Sequence, residues 1–131
     1  VCYDKALEID PKYERGWNEK GIALYNLKKY EEAVVCYDKA LEIDPKDGGA
    51  WYNKGNGSYD LKKYEEAVVC YDKALEIDPK YGEAWNNKGN GLSALEKYEE
   101  AIVCYDKALE IKPNYTKYWK NNNHRARTSC S

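Results

Sequence analysis

Residues 14–47 read ERGWNEKGIALYNLKKYEEAVVCYDKALEIDPKD, and the next 34 residues, 48–81, read GGAWYNKGNGSYDLKKYEEAVVCYDKALEIDPKY. Residues 82–115, GEAWNNKGNGLSALEKYEEAIVCYDKALEIKPNY, give the pattern a third time. Trp17, Trp51, Trp85 and Trp119 are 34 residues apart, as are Pro11, Pro45, Pro79 and Pro113, while Gly21, Gly55 and Gly89 keep the same step. Cys2, Cys36, Cys70 and Cys104 follow it too. Four unlike residue types on one period make the chain an array of supersecondary units, so its 131 residues are counted in repeats.

Each unit divides into two helices. Small residues at Gly21, Ala33 and Ala40 fall where two helices of a hairpin approach closely. Trp17, Leu24, Leu27, Tyr37 and Leu41 supply bulk at helical spacing, which gives each helix one apolar face. Glu31 and Glu32 place negative charge at the positive end of the second helix, and Pro45 ends it by biasing Asp44 away from helical geometry. The pattern predicts helices near 14–27 and 30–43, repeated one and two periods later.

The offsets resemble the tetratricopeptide repeat, whose pattern runs Trp, Gly, Leu, Tyr, Ala, aromatic, Ala, Pro. The first complete unit offers Trp17, Gly21, Leu24, Tyr30, Ala33, Tyr37, Ala40 and Pro45. The second and third keep every position except Ser58, which stands where Leu24 and Leu92 stand in the others. The resemblance implies an all-α fold, a right-handed superhelical solenoid of antiparallel helix-turn-helix hairpins. Units are expected at 14–47, 48–81 and 82–115, with the second-helix half of a truncated repeat at 1–13. Residues 116–131 read as a degenerate first-helix half followed by an irregular tail, with the stretch from His124 onward read as disordered sequence or a cloning scar. Lack of any Met marks the chain as a fragment, and both ends are expected to be uncapped.

Composition narrows the function. A net charge of -2 gives no reason to expect nucleic acid or an anionic membrane as partner, and no stretch approaches a membrane span. A soluble, cytoplasmic protein is the expectation. Equivalent cysteines of stacked repeats should lie roughly 10 Å apart, beyond disulfide reach, and none has the short spacing of a metal site. They read as packing residues, with Cys130 outside that pattern. His124, the single histidine, lies among Asn121, Asn122, Asn123 and Arg125, with no partner pattern for catalysis. Carboxylates such as Asp38 and Glu42, with Lys39 beside them, read as a solvated helix face. No enzyme activity, metal or cofactor is expected.

In the resembled family the first helix of each hairpin lines the concave groove, at positions one, two, five, eight and nine residues after the Trp. Here those positions hold Asn18, Glu19, Ile22, Tyr25 and Asn26, then Tyr52, Asn53, Asn56, Tyr59 and Asp60, then Asn86, Asn87, Asn90, Ser93 and Ala94. The groove candidates among them are Asn18, Tyr25, Tyr52, Asn53, Asn56, Tyr59, Asn86, Asn87 and Asn90. Asn amides can both donate to and accept from a peptide backbone, and Tyr adds flat apolar area at low entropic cost. Chaperone-binding members of the family grip a terminal carboxylate with Lys, Asn, Asn, Lys and Arg. The matching positions hold Asn18, Ile22, Asn53, Glu83 and Asn87, so one of five is kept. The expected role is therefore a non-catalytic protein–protein interaction scaffold for a neutral or mildly basic segment. Alternatives are an array that self-associates head to tail through its terminal half-repeats, and a docking arm of a larger enzyme or regulator. Val35, Val69 and Val103 are expected to form an exposed stripe on the convex side. Gly48, Gly49, Gly57 and Ser58 mark the middle hairpin as the softest.

Overall fold

The computed structural model describes residues 13–111, which fold into six helices. They are α1 (Glu14–Asn26), α2 (Tyr30–Ile43), α3 (Gly48–Asp60), α4 (Tyr64–Ile77), α5 (Gly82–Ala94) and α6 (Tyr98–Ile111). Expectations for residues 1–12 and 112–131, including the half-repeats at the two ends, Trp119, His124 and Cys130, lie outside the described residues.

Helices pair into hairpins α1–α2, α3–α4 and α5–α6, and each second helix packs on the first helix of the next hairpin. First helices of successive hairpins also touch, α1 with α3 and α3 with α5, whereas the second helices do not touch one another. The array therefore curves with its first helices on the inner face.

Close approach explains the repeated glycines. A Cβ at Gly21, Gly55 or Gly89 would stand 2.5–2.6 Å from a ring carbon of Tyr37, Tyr71 or Tyr105. Tyr37 and Tyr71 are in turn 1 % exposed, the largest fully buried side chains. Gly57 and Gly91 serve the junction between hairpins: a Cβ there would stand 2.8 Å from Val34 Cγ2 and 3.0 Å from Val68 Cγ2. Gly57 is thus a packing position as well as a weak helix former. Ala40, Leu41 and Ala50 form one core cluster at the first junction, and Ala74, Leu75 and Ala84 repeat it at the second.

The Trp–Pro pairing has a direct cause. Trp51 Nε1 donates to the Pro45 carbonyl at 2.9 Å, and Trp85 Nε1 donates to that of Pro79 at 2.9 Å, tying each loop to the helix that follows it. The lysines three residues after each Trp lie over the indole rings, 5.4–5.6 Å from the centroid. Lys54 and Lys88 also reach back to Asp38 and Asp72 of the preceding hairpin at 2.7 Å. Asp38 is therefore an inter-hairpin partner, where the sequence had suggested a solvated face beside Lys39.

Leu27 departs from its expected core role and is 66 % exposed. Its counterparts Leu61 and Leu95, which follow another described hairpin, are half-buried. At the other end Tyr98 and Ile102 are 57 % and 56 % exposed, although Tyr64 and Val68, which meet Gly91 of the next hairpin, are half-buried. Val35, Val69 and Val103 are more than half exposed, as the resemblance to the repeat family implied.

Within each hairpin the turn uses a left-handed residue that is not glycine: Lys28, Lys62 and Glu96 all have φ 65. Lys29 N bonds back to Leu24 O and Lys63 N to Ser58 O, the wide loop of a Schellman-type ending. L-residues lose about 1 kcal/mol in this conformation. Lys62→Gly is expected to raise stability by about 0.5–1 kcal/mol, the gain being trimmed by the freer unfolded chain, and a shift of the urea midpoint measures it.

Glu14 and Asp47 make a carboxyl pair at the first junction. Glu14 Oε2 is buried with no hydrogen-bond partner among the described residues, while Asp47 caps α3 by accepting from Ala50 N at 3.2 Å. Interaction with the neighbouring Asp47 carboxyl, then burial, then the charges of Asp47 and Asp44 push Glu14 from 4.5 up to about 7. The folded state thus holds the proton more tightly than the unfolded chain. Its stabilising effect is present below about 4.5 and is lost as pH rises through about 7. Glu14→Gln should stabilise the fold at pH 8 and change little at pH 4.5, as urea midpoints at the two pH values will report.

A candidate peptide-binding groove

All nine groove candidates are half-buried on the first helices. They do not stand as separate polar tips. Asn53 Nδ2 donates to Asn18 Oδ1 at 3.2 Å, joining α3 to α1. Asn87 Nδ2 donates to both Tyr52 Oη and Asn56 Oδ1 at 3.0 Å, joining α5 to α3. Asn86 and Asn90 lie 3.5 Å from Asn87 Oδ1, at the outer limit for a bond. Two hydrogen-bonded groups, Asn18 with Asn53 and Asn87 with Tyr52 and Asn56, thus lie along the inner face.

The second helices contribute to this face from below. Tyr71 Oη donates to Asn56 Oδ1 at 2.6 Å and Tyr105 Oη to Asn90 Oδ1 at 2.7 Å. Burial raises the Tyr71 phenol above its ordinary range, so it remains a protonated donor. Hairpin one lacks this link because Ile22 occupies the position of Asn56 and Asn90 and offers no acceptor. Sequence reasoning assigned Tyr71 and Tyr105 to the core alone. The available signal was Tyr in place of Phe, fifteen residues after an Asn, in two units out of three.

Between α1, α3 and α5 the face opens into a pocket of about 240 Å³. Tyr25, Asn56, Tyr59, Asp60, Tyr71, Asn87 and Asn90 line it. Five of the nine candidates are brought together here; Asn18, Tyr52, Asn53 and Asn86 lie outside it. Tyr25 Oη donates to Asp60 across the two hairpins, and burial followed by that bond raises the phenol. Tyr25 and Tyr59 are braced edge-on by Tyr30 and Tyr64, with centroids 5.3 and 5.2 Å apart. Tyr52 leans on Tyr81 at 4.9 Å.

Chemically this is a surface for hydrogen bonding and stacking. Among the described residues no cluster of three His, Cys, Asp or Glu side chains could hold a metal, and no helix is long and apolar enough to cross a membrane.

Three stacked hairpins with a polar inner face define a helical-repeat solenoid. The tetratricopeptide repeat profile matches residues 14–47, 49–81 and 82–115, and the chain belongs to that family. No relative was found among the curated proteins. Among solved structures, MamA is 20 % identical with a TM-score of 0.85 over 90 % of this chain and 69 % of its own, a likeness of fold alone. The first tetratricopeptide domain of Spaghetti (RPAP3), bound to the HSP90 peptide SRMEEVD, is 28 % identical with a TM-score of 0.81, covering 93 % of this chain and 97 % of its own. The Arabidopsis OM64 tetratricopeptide domain is 27 % identical with a TM-score of 0.76, covering 77 % and 84 %.

Proposed function

We propose that the chain is a non-catalytic protein-interaction scaffold that holds an extended segment of another protein on its inner face. The observation that supports this reading is the pair of amide and phenol groups that link α1 to α3 and α3 to α5, together with the 240 Å³ pocket. Asn amides linked across hairpins are held in fixed orientations, so a backbone can bond to them with little further loss of side-chain freedom. Capture of a peptide by the RPAP3 domain gives the fold a precedent. The ligand here differs in kind: SRMEEVD is acidic, whereas Asp60 lines this pocket and the carboxylate-gripping cations are replaced by Asn18, Glu83 and Asn87.

Replacing Asn53, Asn56, Asn87 and Asn90 together should abolish partner capture with helicity unchanged. Asn56 and Asn90 also accept the Tyr71 and Tyr105 hydroxyls, so the Asn53→Ala, Asn87→Ala pair gives a second variant with both phenol links intact. Capture that survives both variants rejects the groove.

A further inference from the structure

We propose that the pocket between α1, α3 and α5 receives the guanidinium of an arginine in the bound segment, a refinement that rests on the groove being the peptide site. Asp60 is the single charged residue in the pocket wall, and no lysine or arginine lines it. Lys62 and Lys63 follow in the turn, exposed and outside the lining. Asp60 is also the last residue of α3, where the helix dipole is negative and no basic residue stands in the last turn. Carboxylate and helix end thus add to one negative potential at the pocket wall.

The other walls are aromatic. Tyr25, Tyr59 and Tyr71 line the pocket; Tyr71 is 1 % exposed and closes its floor, while Tyr25 and Tyr59 are half-buried and fixed by Tyr30 and Tyr64. A flat cation stacks on such rings and is drawn to their faces. Asn56 Oδ1 already accepts two bonds, from Tyr71 and Asn87, so Asp60 is the strong acceptor left for a ligand. A planar group with paired donors meets a carboxylate and a ring together, which an ammonium does less well. A carboxylate ligand would meet Asp60 repulsively.

The test pans a random dodecapeptide library on the chain, on an Asp60→Asn variant and on the four-Asn variant. Peptides selected on the unaltered chain are expected to share an arginine at one aligned position. Changing that arginine to citrulline should weaken binding about threefold to fivefold, the range of a partly exposed ion pair. The same loss is expected in Asp60→Asn, with no further loss when both changes are combined. Tyr25→Phe, which removes the phenol bond to Asp60 and keeps the charge, should retain the arginine preference. Selected peptides without an arginine excess, or equal binding of the arginine, lysine and citrulline forms, overturn the pocket assignment while the groove stands. If no selected peptide discriminates the chain from the four-Asn variant, the groove reading itself falls, and the arginine site falls with it.

Discussion

Tyr71→Ala is expected to cost about 3–5 kcal/mol, the range for deleting a buried aromatic side chain. Tyr71 is 1 % exposed, its ring fills the gap left by Gly55, and its hydroxyl holds Asn56. Truncation opens a cavity inside the middle hairpin and removes a donor from the groove at the same time. Tyr71→Phe isolates the second effect and should cost about 1 kcal/mol, the worth of an ordinary hydrogen bond. Tyr37→Phe should cost less, because Ile22 gives that hydroxyl no acceptor. Urea unfolding followed by circular dichroism measures all three. Equal losses for the two Tyr→Phe variants would count against the phenol–amide link.

Ser58→Leu should act in the opposite direction, adding about 2 kcal/mol, the transfer free energy of a buried Leu side chain. Ser58 is 4 % exposed and stands at the position of Leu92, which packs in a cluster with Ala101, Cys104, Val68, Trp85 and Tyr105. Shifted back by 34 residues, the same neighbours are Ala67, Cys70, Val34, Trp51 and Tyr71, so the leucine meets a surface of matching composition. The middle hairpin is expected to exchange its amides faster than its neighbours in the natural chain and to lose that difference in the variant. Faster exchange in Ser58→Leu would show that the site cannot accept the extra volume.

The hairpin architecture was legible because its causes are local or strictly periodic. Small residues at Gly21, Ala33 and Ala40 and a proline just past each second helix leave few alternatives once they recur every 34 residues. Links between units were less legible. Lys54 bonds Asp38 of the previous hairpin, and Trp51 bonds the carbonyl of Pro45. Such partners are chosen by stacking geometry, so Lys39, close in sequence, was a misleading neighbour for Asp38. Burial of Leu27 likewise depended on what lies beside the hairpin, which spacing within a unit does not encode. For the groove, residue types were legible and their internal bonds were not. Asn87 could be seen as a polar tip, but its bonds to Tyr52 and Asn56 depend on how α5 sits against α3.

Each hairpin also contains one thiol in its second helix: Cys36, Cys70 and Cys104 are buried, 3–4 % exposed. Burial pushes Cys70 up to about 11 and raises Cys104 as well, so both are protonated and shielded in the closed array. Alkylating reagents attack the thiolate, and reach it here only when a helix lifts away. Three near-identical chemical clocks are therefore built into the chain, one per hairpin. Their alkylation rates, resolved by peptide mapping, translate into the opening free energy of each unit, so a single unmodified protein can report where along its length the solenoid comes apart first.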